Sequence, residues 1–448
     1  MSLTTLDPAE ADRIYEAARV TDGPYNQGKP FRLKGREPYH LVRDDGFKVL
    51  DLHGHILADC MGDPAIRKHV REVMDEVNDV AVFAPDFTHP ELDRAQARIA
   101  QILDEVLGGG PWVVSFKSSG TRANEENVGH ARAVLGGDMH AVLNAEAYHG
   151  AGFMKSLIGL SSWKARATVP LGIPVTHLDY ADTPEGRNHL PDFRRFKERR
   201  LGADGRPLYI SEAGVGGVMG FRLIEPGSTR NIIVEVHERK GKVILDAVQT
   251  MDFRTGDNPV GVDGIVDRND PRTIPDYVTG GKGIGVGYPL AFSAARKAVI
   301  DEGMEVVGQD AGGKDIVQSH FAADYDTNAR SLQGSAAFNA LDQKMISPGF
   351  VDGMRTNMAQ WRGGLETIAA AHSERAMGVT GKGYMSGLEL DSGDRVAAFR
   401  KIGVERTGIV CCVGGVRKNV LRLGMKLDAP PEIVAEALQK IEDTLRAA

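Results

Sequence analysis

Three segments of this chain carry residue types whose spacing could do chemistry. In Ser118-Ser119-Gly120-Thr121-Arg122-Ala123-Asn124, a stretch that reads as a strand gives way to one that reads as a helix. Such a turn aims free backbone N–H groups and a hydroxyl at one point, and the positive end of the helix dipole favours an anion there. The same pattern also serves as an ordinary Ser/Thr helix cap. In Val243-Ile244-Leu245-Asp246-Ala247-Val248-Gln249-Thr250, Asp246 stands at the carboxyl end of an apolar strand, where open α/β sheets place their ligands. A half-buried carboxylate there needs a cationic partner, which a structural ion pair also supplies. The third segment, Pro275 to Pro289, sets Lys282 among Gly280, Gly281, Gly283, Gly285 and Gly287, with no acid within five residues on either side. It is not a P-loop, because Gly283 follows Lys282 where Ser or Thr is required. Nor do its glycines have the spacing of a dinucleotide fingerprint.

Taken together, the three segments say more than each does alone. A phosphate cradle, a strand-end acid and a lysine in a glycine nest are the parts needed to hold pyridoxal phosphate. The lysine amine joins the cofactor aldehyde, the acid keeps the pyridine nitrogen protonated, and the cradle anchors the phosphate. An aromatic face over the ring is also expected. Tyr148-His149-Gly150, just after the short apolar run Ala141-Val142-Leu143, can provide one.

These residues resemble the class III (ω-type) aminotransferases of pyridoxal-phosphate fold type I. The resemblance runs in order from about residue 60 to the end of the chain. It implies that Gly120 and Thr121 bind the phosphate and that Tyr148 stacks on the ring. It makes Asp246 the partner of the pyridine nitrogen, sets Val248 against the ring, and brings Gln249 near the phenolic oxygen. Lys282 becomes the Schiff-base lysine. Ser331, in Ser331-Leu332-Gln333-Gly334, matches the segment that reaches the phosphate of a partner subunit. Arg422 matches the arginine that takes the substrate carboxylate, and Glu212 the acid that can pair with it. The expected activity is transamination between an amine or amino acid and an oxo acid. A racemase, lyase, decarboxylase or aminomutase of the same fold is the alternative. A homodimer with interface active sites is implied as well. The chain departs from the family pattern at Arg122, where Glu is usual, and at Ala213, Ala247 and Gly424-Met425-Lys426. These positions bear on the substrate rather than on the cofactor.

The elements that must position these groups are legible from pattern. Trp112–Phe116, Ala141–Leu143, Leu208–Ile210 and Val243–Leu245 read as buried strands, and Ala123–Leu135 and Ile232–Lys240 as helices. The alternation predicts an α/β fold around a largely parallel sheet. From about Ala336 the texture changes to long helices and then to strand-rich stretches at Gly383–Leu390 and Gly408–Leu423. A final helix is expected with Asp428 as N-cap, Pro430 and Pro431 in its first turn, and Val434, Leu438, Ile441 and Leu445 as one apolar stripe. The domain reading is therefore a large cofactor-binding α/β domain over 61–335 and a small α+β domain built from both chain ends, 1–60 and 336–448.

Bulk composition narrows the function classes. The 54 basic and 61 acidic side chains leave a net charge of −7, which argues against an electrostatic nucleic-acid binder. The basic run Phe193–Arg200 reads as a solvated amphipathic helix in that context. No apolar run approaches the 18 or so residues of a membrane span, and the acidic first 20 residues do not resemble a secretory signal. Three cysteines, Cys60, Cys411 and Cys412, are too few for a disulfide framework and read as reduced thiols of a cytoplasmic protein. His53 and His55 flank a glycine but lack further ligands at metal spacing, so they read as loop histidines. The 53 glycines among 448 residues exceed the usual share of about 7%. Their clustering around Gly120, Gly214–Gly217 and Lys282 suggests a backbone that must approach a ligand closely.

Overall fold

The computed structural model describes residues 32–80, 87–137, 139–157, 172–178, 181–183, 186–188, 205–256, 258–309, 312–321 and 329–448. The basic run at 193–200 lies outside them. A seven-stranded sheet forms the centre. In chain order its strands are β1 (Trp112–Lys117), β2 (His140–Asn144), β3 (Val175–Leu178), β4 (Pro207–Glu212), β5 (Lys242–Asp246), β6 (Tyr277–Gly280) and β7 (Ala291–Arg296). Their spatial order is β1-β7-β6-β5-β4-β2-β3. Only β7 runs antiparallel, to both of its neighbours. Every residue of β4, β5 and β6 is buried. That explains their continuous apolar runs, since a parallel sheet is covered on both faces.

Two helices show how the local sequence sets these elements. Helix α1 (Gly120–Leu135) starts three residues before the apolar pattern does, because the Ser119 hydroxyl accepts from the Arg122 N–H and closes the cap. Helix α2 (Pro226–Glu238) starts six residues earlier than periodicity suggests. Glu225 caps it with bonds from Gly227 and Ser228, and Pro226 fills the first position.

The chain ends meet. Strand Lys48–Asp51 pairs in parallel with Ile409–Val410, at one edge of a small sheet whose other strands are Leu33–Arg36 and His40–Arg43. Asp45-Gly46 makes the tight turn of that hairpin, with Gly46 at φ +85°. A second four-stranded antiparallel sheet has the order Ala376–Lys382, Met385–Leu390, Val420–Gly424, Cys412–Gly414. The last helix, Pro431–Ala447, buries Val434, Ile441 and Leu445 as its stripe predicts. Its N-cap is Pro430 and not Asp428. The Asp428 carboxylate instead accepts from the Gly62 N–H at 2.8 Å, and its carbonyl accepts from the Tyr39 hydroxyl. A long-range tie has taken the side chain that local pattern assigned to the helix.

Candidate active site

The carboxyl ends of β4, β5 and β6 open into a cleft of about 1060 Å³, including its mouth. Ser118, Ser119, Gly120 and Thr121 line one side, with Tyr148 and His149 beside them. Glu212, Asp246, Val248, Gln249 and Lys282 line the rest of the inner wall, and Tyr288, Pro289 and Leu290 the rim. The fold thus gathers the three chemistry-bearing segments of the sequence into one cavity.

Asp246 ends β5 and is 7% exposed. Its Oδ1 accepts from the Val248 N–H at 3.1 Å. Its Oδ2 accepts from Asn124 Nδ2 at 2.8 Å and lies 2.8 Å from His149 Nδ1. Asn124 is held in turn, because its Oδ1 accepts from the Thr279 hydroxyl, which itself accepts from Asn127 Nδ2. Oδ2 is therefore occupied, whereas Oδ1, with a single donor, keeps a lone pair for a further one. Asn124 and His149 are the contributors that sequence reasoning left without a role. Both stood inside segments singled out for other reasons, but nothing in the sequence joins them to an acid about a hundred residues away.

Lys282 follows β6 in a short 3-10 turn, with φ at +53°. A non-glycine residue rarely takes that left-handed conformation, and here the surrounding structure imposes it. The neighbouring glycine makes room for it. A Cβ on Gly283 would lie 2.7 Å from the Asp252 carboxylate, and the Gly283 carbonyl accepts from the Cys60 thiol at 3.0 Å. Burial, reinforced by the Arg422 charge, lowers the Lys282 amine to about 8, against the opposing pull of Asp246 and Glu212. An amine so shifted is available as a nucleophile and base near neutral pH.

The cradle depends on small residues at close approaches. A Cβ on Gly120 would fall 2.8 Å from a Val248 methyl, and one on Gly150 the same distance from the Thr121 hydroxyl. Gln249 lies against Gly217 so closely that a Cβ there would overlap its amide.

Glu212, at the end of β4, is buried and pushed up to about 7 by loss of water, despite the nearby His149 and a bond from the Gly217 N–H. Arg422 sits behind the wall on strand Val420–Gly424. Its Nη1 donates to the Gly217 carbonyl at 3.1 Å, while Glu212 Oε1 accepts from the Gly217 N–H at 3.0 Å. The two residues expected to pair therefore grip opposite sides of one glycine, and no ion pair joins them among the described residues. Arg122, the departure from the usual Glu, turns away to pair with Glu125 at 2.7 Å. Ser331 does not line the cleft. It caps helix Leu332–Met345, accepting from the Gly334 N–H at 3.1 Å, and that helix rests on Pro289 and Leu290 at the rim.

These residues fit pyridoxal phosphate. A buried acid has spare acceptor capacity, a buried amine is near its neutral form, and a glycine-lined turn at a helix N-terminus would be filled by any added Cβ. Fold and site together define a pyridoxal-phosphate enzyme of fold type I.

Comparison with known proteins gives the narrower class. No family model matches the chain. Acetylornithine aminotransferase of Caldanaerobacter subterraneus subsp. tengcongensis is 25% identical over 422 residues, covering 92% of this chain and 95% of that protein. Glutamate-1-semialdehyde 2,1-aminomutase of Anaeromyxobacter dehalogenans is 27% identical over 306 residues, 65% of each chain. Among solved structures, a transaminase from the marine bacterium Virgibacillus superposes with a TM-score of 0.80 at 17% identity, covering 97% of this chain and 98% of that one. Along most of its length the chain is similar to pyridoxal-phosphate-dependent aminotransferases of class III, in sequence and in fold.

Proposed function

We propose that this enzyme moves an amino group between an amino acid or amine and an oxo acid, with Lys282 as the proton carrier and Asp246 as the electrostatic anchor. The observation that carries the reading is the convergence of the shifted Lys282 amine, the Asp246 carboxylate and the Gly120-Thr121 turn on one cleft. Pyridoxal phosphate supplies an aldehyde for the substrate amine and a ring that withdraws electrons. Gly120 and Thr121 hold the phosphate with backbone N–H groups and a hydroxyl. Asp246, fixed by Asn124, His149 and the Val248 N–H, keeps a proton on the ring nitrogen. Val248, Tyr148 and Gln249 line the same cleft, where the first two would confine the ring and Gln249 would offer its amide to the phenolic oxygen. With its amine near the neutral form, Lys282 would act as the base and acid that carries a proton from and to the substrate. Arg422 receives the substrate carboxylate, and Glu212 closes the same wall.

The alternative reaction class uses the same lysine and acid, and the aminomutase likeness keeps it specific. A panel of amine donors assayed with pyruvate and 2-oxoglutarate separates the two. Amine conversion that consumes the oxo acid in equal amount is the expected result. Product formed with no acceptor present overturns transamination in favour of the alternative.

The proposal includes a homodimer in which Ser331 reaches the partner's phosphate site. In support, the hairpin Met304–Gln309 and Asp315–Ser319 leaves Val306, Val307, Ile316 and Val317 about half exposed, which is more than isolated surface residues usually show. A cytoplasmic location is also part of it, supported by three free cysteines, all buried. No helix among the described residues is long and apolar enough to cross a membrane.

A further inference from the structure

Thr279 and Asp246 are partners in register across the parallel pair of β5 and β6. Such partners project from the same face of a sheet, and Asn124 of α1 lies on that face between them, bonded to both. Thr279, Asn124 and Asn127 are all fully buried, so the hydrogen bonds among them replace bonds to water.

The bonds run in one direction. Asn127 Nδ2 can only donate, and it gives a hydrogen bond to the Thr279 hydroxyl at 2.9 Å and one to the Val278 carbonyl at 3.4 Å. The Thr279 hydroxyl accepts there and spends its own proton on Asn124 Oδ1 at 2.7 Å. That fixes the Asn124 amide. Its Nδ2 donates to Asp246 Oδ2 at 2.8 Å and to the His149 carbonyl at 2.9 Å. Turned over, the amide would set its oxygen against two acceptors. The Thr279 carbonyl adds a second tie, accepting from the Ala247 N–H at 2.8 Å, one residue past the acid.

The two oxygens of Asp246 are thereby made unequal. Oδ2 is taken by Asn124 and His149, while Oδ1 has only the Val248 N–H. We propose that Thr279 is a positioning residue for the cofactor: through Asn124 it commits Asp246 Oδ2 to the protein and so presents Oδ1 to the ring nitrogen of pyridoxal phosphate. The inference rests on the reading of Asp246 as the partner of that nitrogen. Nothing is transferred along the chain of bonds. It acts by fixing an acceptor before the cofactor arrives, so that none of the binding energy goes into ordering it. Thr279 also stands three residues before Lys282, so one short segment supplies both the lysine and the group that aims the acid.

A chain of this kind could equally be a brace that holds α1 on the sheet, and the two roles differ at the ring nitrogen alone. The test is titration of the apoenzyme with pyridoxal phosphate and with deazapyridoxal phosphate, which carries C–H in place of the ring nitrogen. Both present the same aldehyde and phosphate, so the ratio of their affinities isolates the nitrogen. The wild type should prefer pyridoxal phosphate by about tenfold or more, the worth of a hydrogen bond to a charged group. Thr279→Val keeps the shape and removes the hydroxyl. It should shrink that preference several-fold, through weaker binding of pyridoxal phosphate. Thr279→Ser, which keeps the hydroxyl, should restore it. Asn124→Leu breaks the next link and should act as Thr279→Val does, which keeps the test open should the valine variant misfold. In an Asp246→Asn background, Thr279→Val should change the preference no further.

A preference that Thr279→Val and Asn124→Leu leave at the wild-type value, even with both affinities lowered together, overturns the proposal and makes the chain a brace. A wild type that binds the two cofactors equally overturns it at its root, because Asp246 is then not the partner of the ring nitrogen. The chemistry at Lys282 is reported separately by the donor panel.

Discussion

Lys282 and Glu212 show what burial does to single groups in this cleft, and both effects have a sign that can be measured. The Lys282 amine, lowered to about 8, becomes neutral far below the ordinary lysine value of about 10.4. Reconstitution of the apoenzyme with pyridoxal phosphate should therefore accelerate with pH through a midpoint near 8. Lys282→Ala should lose the visible absorbance of the lysine-bound cofactor altogether. Retained absorbance sinks the lysine assignment, and a midpoint near 10 sinks the burial argument. Glu212 runs the other way. Its folded-state value of about 7 lies above the unfolded value of about 4.3, so the native state binds the proton more tightly. Stability from this group is full below about pH 4.3 and is lost as pH rises to about 7. Glu212→Gln should therefore stabilise the apoenzyme by an amount that grows across that window and levels off at roughly 3 kcal/mol. Melting temperatures of the two proteins at pH 5 and pH 8 check this, and an equal difference at both contradicts it.

At the scale of elements, the proposed cofactor cradle is a contact between the first turn of α1 and the loop after β5. Gly120 is the point of closest approach, with Val248 methyls 2.8 and 3.0 Å from where a Cβ would stand. Gly120→Ala should cost at least tenfold in cofactor affinity, about 1.4 kcal/mol, while α1 itself gains from alanine's better helix propensity. Trimming the opposing methyls with Val248→Ala should recover part of the loss in the double variant. Additive losses, read from cofactor titration of all three proteins, would show that the two residues do not meet.

For the molecule as a whole, the two chain ends are joined by a buried charge cluster. Asp59 is fully buried and is approached by Arg36, by Arg67 at 3.2 Å and by Lys426 at 3.2 Å. Lys426 also lies 3.8 Å from Asp51, which accepts from Arg36 at 3.1 Å. Lys426 thus places a charge that ties the C-terminal segment to the strand at Lys48–Asp51. The Lys426, Gly54 and Arg36 interactions outweigh burial and hold Asp51 below the usual carboxylate value. Stability from that group is present above about pH 3.9 and is lost as pH falls through its lower folded value. Lys426→Met should therefore destabilise the protein by about 3 kcal/mol at neutral pH and shift acid unfolding to higher pH. Urea unfolding at pH 7 and an acid titration measure the two effects. A neutral substitution would show that Arg36 and Arg67 suffice.

The sequence by itself determined the chemistry. Lysine among glycines, an acid ending an apolar strand and a Ser-Gly-Thr turn are local patterns, and each survives in the fold because backbone sterics and helix-end hydrogen bonding act over a few residues. The order of strands and helices was legible for the same reason, and element ends were the parts misjudged. Ser119 and Glu225 begin their helices early through caps, and Asp428 is drawn off by Gly62. Only the tertiary structure decided which groups meet. Asn124 and His149 on Asp246, and Glu212 and Arg422 on opposite sides of Gly217, are pairings across about a hundred to two hundred residues. Such pairings follow from sheet register and from the exclusion of water, which set both distance and charge state, and no short stretch of sequence encodes either.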